Sequence, residues 1–161
     1  RPEFALTNPA GANYQLLGVY EVNLTEVLAK VLKNLGSIHV LVVHGEDGLD
    51  EVTTTGDTLI SELKDDQVKT YKINPCEFGL NKAKAEDLKG GDASFNAKLA
   101  QGILKGKGGA RRDIVLLNAG CAIYAANKAS SVKEGVAKAS ASIDSGKALE
   151  KLELLKEFTN K

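Results

Sequence analysis

The apolar positions of this chain change period along its length. Tyr14 to Tyr20 (YQLLGVY) reads as a strand. From Leu24 to Leu35, apolar residues stand at Leu24, Val27, Leu28, Val31, Leu32 and Leu35, the stripe of an amphipathic helix. Asn23 or Thr25 is placed to cap its start and Gly36 to end it. Ile38 to Val43 follows, a short β-branched run bounded by Gly36-Ser37 and His44-Gly45, and it reads as a buried parallel strand. Strand, helix and strand make a β-α-β unit, whose crossover should be right-handed. Thr58 to Leu63 and Val68 to Ile73, joined by Lys64-Asp65-Asp66-Gln67, predict a β-hairpin that Asn74-Pro75 ends.

The second half predicts helices. One starts at Asp92 or Ser94 and reaches Leu104, with Phe95, Leu99, Ile103 and Leu104 inward. Lys105-Gly106-Lys107-Gly108-Gly109 is a flexible break. Arg112 to Asn127 is apolar almost all round, which predicts a helix buried inside the domain. Ser130 or Ser131 caps the next helix, with Glu134 placed for a capping box. Gly146 separates it from a last helix, Ala148 to Phe158. Strands that alternate with helices, plus one hairpin, predict an α/β domain.

Composition narrows the partners. Lysine plus arginine number 21 and aspartate plus glutamate 21, so the formal net charge is zero. No basic excess points to nucleic acid, and scarce aromatics with no tryptophan weaken any base-stacking surface. No apolar run approaches the ~18 residues that span a membrane, and no signal-peptide pattern opens the chain. Cys76 and Cys121 are too few for a disulfide framework or a zinc site, so inert thiols in a reducing, cytoplasmic setting are expected. The chain has no methionine and begins Arg1-Pro2-Glu3-Phe4, which reads as a piece of something longer.

The candidate chemistry lies after the second strand. His44-Gly45-Glu46-Asp47-Gly48-Leu49-Asp50-Glu51 is a loop with two glycines and four carboxylates. In open α/β sheets, ligands bind beyond the carboxyl ends of strands. Mg²⁺ is a hard cation, usually held by one or two carboxylates plus substrate phosphates, and adjacent Asp50 and Glu51 could supply them. A solvated acidic turn is the plain alternative. His39, inside the strand, and His44, at its end, read as structural. Lys105 to Arg112 lacks the spacing of a phosphate-binding loop and reads as a solvated connection. Gly90-Gly91-Asp92 reads as a tight turn before a helix, with Asp92 as its cap.

Six stretches in order resemble the C-terminal part of the anthranilate phosphoribosyltransferase family. Leu6-Thr7-Asn8-Pro9-Ala10-Gly11-Ala12 is similar to its GPLTNPA segment, and Gln15 to Tyr20 to its next strand. Val43 to Glu51 resembles its HGxDGLDE loop, and Gly90-Gly91-Asp92-Ala93 with Asn96-Ala97 its GGDAxxNA helix start. Arg112 to Ala119 resembles its RDxVLLNA helix, and Ile143 to Ala148 its IDSGKA break.

The resemblance implies a two-domain enzyme with a small helical N-terminal domain and a larger α/β domain on a mostly parallel sheet. Residues 6–161 would be the C-terminal part of the α/β domain, and residues 1–5 a leader foreign to it. The implied reaction moves phosphoribose from phosphoribosyl pyrophosphate to anthranilate, with Asp50 and Glu51 serving Mg²⁺. The family's glycine-rich GTGGD loop, its KHGN segment and its anthranilate-binding arginine have no counterpart here, and Phe4-Ala5 stand where it has Gly-Pro. The chain alone is therefore expected to be inactive. Family members are homodimers that pair mainly through the helical domain, so weaker or no native dimerisation is expected of this chain. Pyrimidine nucleoside phosphorylases, nucleic-acid-binding paralogues of the same fold and a purely structural fragment are the alternatives.

Overall fold

The computed structural model describes residues 11–160. The expected leader, residues 1–5, lies outside them. Strand β1 (Tyr14–Gly18) leads to helix α1 (Leu24–Asn34) and strand β2 (His39–Gly45). Strands β3 (Thr58–Lys64) and β4 (Gln67–Ile73) follow. Helices α2 (Ala85–Leu88), α3 (Ala93–Leu104), α4 (Ala110–Ala125), α5 (Val132–Asp144) and α6 (Lys147–Thr159) complete the described chain.

The four strands form one sheet in the order β1-β2-β3-β4. Here the architecture is the expected α/β, but the described sheet is mixed rather than mostly parallel. Only β1 and β2 pair parallel, while β2–β3 and β3–β4 are antiparallel. The cause is local. Only β1–β2 is bridged by a helix, β2 and β3 are joined by a loop without one, and the two-residue turn after β3 can only return β4 antiparallel. At that turn Asp65 and Asp66 both have positive φ, 49° and 60°, the conformation of a tight primed hairpin turn.

Strand β2 is buried on both faces, which explains its unbroken apolar run. Val40 and Val42 face α1, packing with Leu28, Ala29 and Leu32. Leu41 and Val43 face α4 and α5, packing with Leu117, Cys121 and Val136. Cys121 is enclosed there, and burial pushes its thiol up to about 12; Cys76 is exposed on the short 3₁₀ turn Pro75–Phe78. That turn was not anticipated, although Asn74 and Glu77 form a capping box readable from the sequence.

Several side-chain expectations change. Asn23 stands at the start of α1 but makes no side-chain cap, and the Thr25 hydroxyl donates to the Val22 carbonyl instead. Val27, Leu35 and Phe95 are exposed, because each lies on the flank of its stripe. Helix α4 is buried on one side only, at Leu116, Leu117, Gly120, Cys121 and Ala125. Ser131 caps α5 by accepting from the Glu134 N–H, while the Glu134 carboxylate turns back to the Ser130 N–H and hydroxyl. Its bond to Lys138, with those from Ser130, holds the Glu134 carboxyl down at about 2.

Helices α4 and α5 cross closely. A Cβ on Gly135 would stand 2.2 Å from the Gly120 carbonyl oxygen. One on Gly120 would stand 2.6 Å from a Val136 methyl and 2.7 Å from the Val136 nitrogen.

Candidate functional site

Residues between β2 and β3 form a folded loop at the carboxyl ends of β1 and β2. Its turn closes through backbone bonds from the Gly45 N–H to the Leu49 carbonyl, 2.8 Å, and from the Gly48 N–H to the Gly45 carbonyl, 2.9 Å. Gly48 takes φ 90°, a conformation that favours glycine.

The loop's four carboxylates divide into two pairs. Glu46 forms an ion pair with Lys72 of β4 at 2.5 Å. Asp47 turns inward, accepting from the Thr53 hydroxyl at 2.6 Å, from the Thr55 hydroxyl and from the Leu49 N–H. Partial burial pushes its carboxyl up, but these bonds together hold it below the ordinary 3.8. Asp50 and Glu51 are exposed. They border a shallow pocket of about 240 Å³ with Leu16, Gly18, Val43 and Asn118.

Two contacts fix the backbone around that pair. A Cβ on Gly18 would stand 1.6 Å from the Asp50 carbonyl oxygen, so the end of β1 touches the loop directly. Asn118, on α4, accepts from the Val52 N–H at 3.0 Å and donates to the Val52 carbonyl at 2.7 Å.

The charge of a paired Asp47 contributes stability that is complete above the carboxyl's unfolded value and lost as pH falls through its lowered folded value. On acidification from pH 5 toward 2, the Leu49 amide resonance should move as Asp47 protonates, with a midpoint below 3.8. A midpoint at or above that value would contradict the three hydrogen bonds.

The expected metal pair thus faces a pocket, and His44 is structural: its Nδ1 lies 2.8 Å from the Val19 carbonyl. His39 belongs to an unanticipated polar cluster toward the opposite end of the sheet. Its ring nitrogens meet Asn127 at 2.7 Å and Glu62 at 2.9 Å. Tyr71 and Tyr124 donate to Glu62, and Lys64 donates to Tyr124. Burial raises the Glu62 carboxyl, but bonds from His39, Tyr124 and Tyr71 outweigh it. The same burial, with Glu62 alongside, raises the Tyr71 phenol.

Lys105 and Lys107 are exposed, but the expected solvated connection ends at Gly109: Ala110, Arg111 and Arg112 already belong to α4 and are half-buried. Arg111 donates to the Lys89 carbonyl, and Arg112 binds Ser140 and Asp144. Asp92 caps α3 by accepting from the Phe95 N–H at 2.7 Å. Among the described residues no three His, Cys, Asp or Glu side chains gather into a metal cage. Two exposed carboxylates fit Mg²⁺ that keeps several waters and shares substrate phosphates; they do not make an all-protein site.

The chain matches the family model described as glycosyl transferase family, a/b domain, over residues 5–149. An anthranilate phosphoribosyltransferase of Methanocorpusculum labreanum is 54% identical over 150 residues, covering 93% of this chain and 44% of the relative. The crystal structure of anthranilate phosphoribosyltransferase from Thermus thermophilus superposes with a TM-score of 0.89 at 42% identity, covering 98% of this chain and 46% of that one. The Saccharomyces cerevisiae enzyme in complex with PRPP and Mg gives a TM-score of 0.77 at 32% identity, covering 86% and 40%. The chain therefore spans about half the length of the relatives it matches.

Proposed function

From the premise that the chain belongs to the glycosyl transferase family, a/b domain, we propose that it is the C-terminal part of an anthranilate phosphoribosyltransferase. That enzyme would transfer phosphoribose from phosphoribosyl pyrophosphate to the amino nitrogen of anthranilate and release pyrophosphate, a step of tryptophan biosynthesis. The observation that carries this reading is the sorting of the loop's carboxylates. Lys72 engages Glu46 and the threonine hydroxyls engage Asp47, while Asp50 and Glu51 face the pocket at the strand ends.

Asp50 and Glu51 would hold Mg²⁺ directly or through water, and the bound ion would offset negative charge growing on pyrophosphate. Asp47 keeps the loop folded around that pair, so little reorganisation is needed when substrate arrives. Lys72 holds Glu46 aside, which keeps a third charge out of the binding position. The yeast relative carrying PRPP and Mg supports the choice of ligands.

Residues 6–161 would form the C-terminal α/β portion, with a helical domain elsewhere in a longer, homodimeric polypeptide. The phosphate cradle and acceptor pocket would come from that other portion. The cytoplasm is its proposed location; among the described residues no helix is long and apolar enough to cross a membrane.

Anthranilate fluorescence, followed with phosphoribosyl pyrophosphate and Mg²⁺, tests the reading. The 161-residue chain alone should leave the signal flat, and the longer polypeptide carrying this sequence should make it fall. A flat signal from the longer polypeptide would overturn the transferase assignment. A fall with the short chain alone would overturn the division of labour.

A further inference from the structure

Asparagine is a poor choice for the interior of a helix, costing roughly 0.7 kcal/mol against alanine. Asn118 nevertheless stands in the middle of α4. Within its own helix it makes one bond, from Nδ2 to the Ile114 carbonyl at 3.0 Å. Its remaining two bonds both go to Val52, 66 positions away in the sequence.

Val52 is fully buried, and it lies between the end of β2 and the start of β3, where no strand pairs with it. Its N–H and carbonyl would be costly to leave unpaired. The planar amide of Asn118 supplies one acceptor and one donor to the same residue, in place of a neighbouring strand. Asn96 does the same for Gly91, with two bonds of 2.9 Å, but that pairing is local and exposed. Among the described residues Asn118 alone ties α4 to the carboxylate loop in this way, and it also lines the pocket beside Asp50 and Glu51.

We propose that Asn118 is the positioning residue of this site: through its paired bonds to Val52 it sets where the Asp50 and Glu51 carboxylates stand. The Asp50 carbonyl packs closely against Gly18, and Val52 is held by two hydrogen bonds with Asn118, so Glu51 stands between a closely packed neighbour and a clamped one. Consecutive Cα atoms are about 3.8 Å apart, so freeing Val52 moves Glu51 directly. The positional role needs no metal. Its consequence for catalysis rests on the proposed phosphoribosyl transfer.

Three variants separate the possibilities. Asn118→Asp keeps the acceptor for the Val52 N–H but loses the donor, Asn118→Leu keeps the shape and loses both, and Asn118→Ala removes the side chain. Hydrogen exchange in the 161-residue chain is measured first, with thermal melting to confirm folding. Val52 amide exchange should rise at least tenfold in Asn118→Leu and Asn118→Ala and less in Asn118→Asp, with the β2 amides Val40 to Val43 unchanged. In the longer polypeptide, the Mg²⁺ concentration for half-maximal rate should rise about tenfold in Asn118→Leu, which opens the clamp without adding charge to the pocket, with KM for anthranilate unmoved.

Unchanged Val52 exchange in a folded Asn118→Leu chain overturns the clamp, whether or not transfer is observed. A clamp that opens while the Mg²⁺ dependence stays fixed overturns the positioning role. Absence of transfer in the wild-type longer polypeptide overturns the functional reading of the preceding section and leaves the exchange result to decide the clamp.

Discussion

Asp50→Asn or Glu51→Gln, in the longer polypeptide, is expected to lower phosphoribosyl transfer by about 10²- to 10³-fold, the usual scale for losing one group that stabilises developing charge. Folding should barely respond. Both side chains are exposed, and substitutions at such positions usually stay within about 0.5 kcal/mol. Glu46→Gln gives the contrast, because Glu46 is engaged by Lys72; its loss should cost far less activity. Steady-state rates at saturating Mg²⁺, with melting curves for each variant, read both effects. If Glu46→Gln proves as damaging as Asp50→Asn, the sorting of the carboxylates by their partners is not what makes the site.

The second large effect falls on stability. Alanine in place of a helical glycine normally gains up to about 1 kcal/mol from backbone entropy. At Gly135 the sign should reverse. A methyl group there would meet the Gly120 carbonyl at 2.2 Å, and the obstacle is backbone, which no side-chain rotation can move. Helices α4 and α5 must then separate, and overpacking of this kind costs about 1–3 kcal/mol or more. Gly102, on α3, is the control: its nearest neighbour would be a Lys107 methylene at 3.7 Å. Gly102→Ala should therefore hold or raise the Tm, while Gly135→Ala lowers it by several degrees. A Tm for Gly135→Ala equal to or above wild type would show that the crossing opens freely.

Local periodicity made most elements legible. The β-branched run from Ile38 and the stripe of α1 announce themselves within a dozen residues, as does the hairpin. Burial was less legible, because a stripe does not reveal how far the partner surface extends. Val27 and Phe95 continue their patterns yet lie beyond it. The candidate site was half visible. Asp50 and Glu51 could be picked out by adjacency and family resemblance, but adjacency alone could not separate them from Glu46 and Asp47. The difference comes from Lys72 and from Thr53 and Thr55, which only the folded hairpin and loop bring near. Asn118 and the His39–Glu62 cluster were out of reach for the same reason, since their partners are distant in sequence. The turn at Pro75 was different: its Asn74 and Glu77 signal was local and simply went unread.

The two cysteines make the opening of this fold measurable. Cys76 meets solvent, whereas Cys121 is sealed in the core with its thiol raised to about 12, so it is both unreachable and almost wholly un-ionised at neutral pH. An alkylating reagent adds its first mass tag at exposed Cys76 without any opening of the fold and its second only when α4 lifts from the sheet. Cys121 lies one helical turn beyond Asn118. The interval between the two tags thus clocks how long α4, and with it the pairing to Val52, endures between spontaneous breaths of the protein.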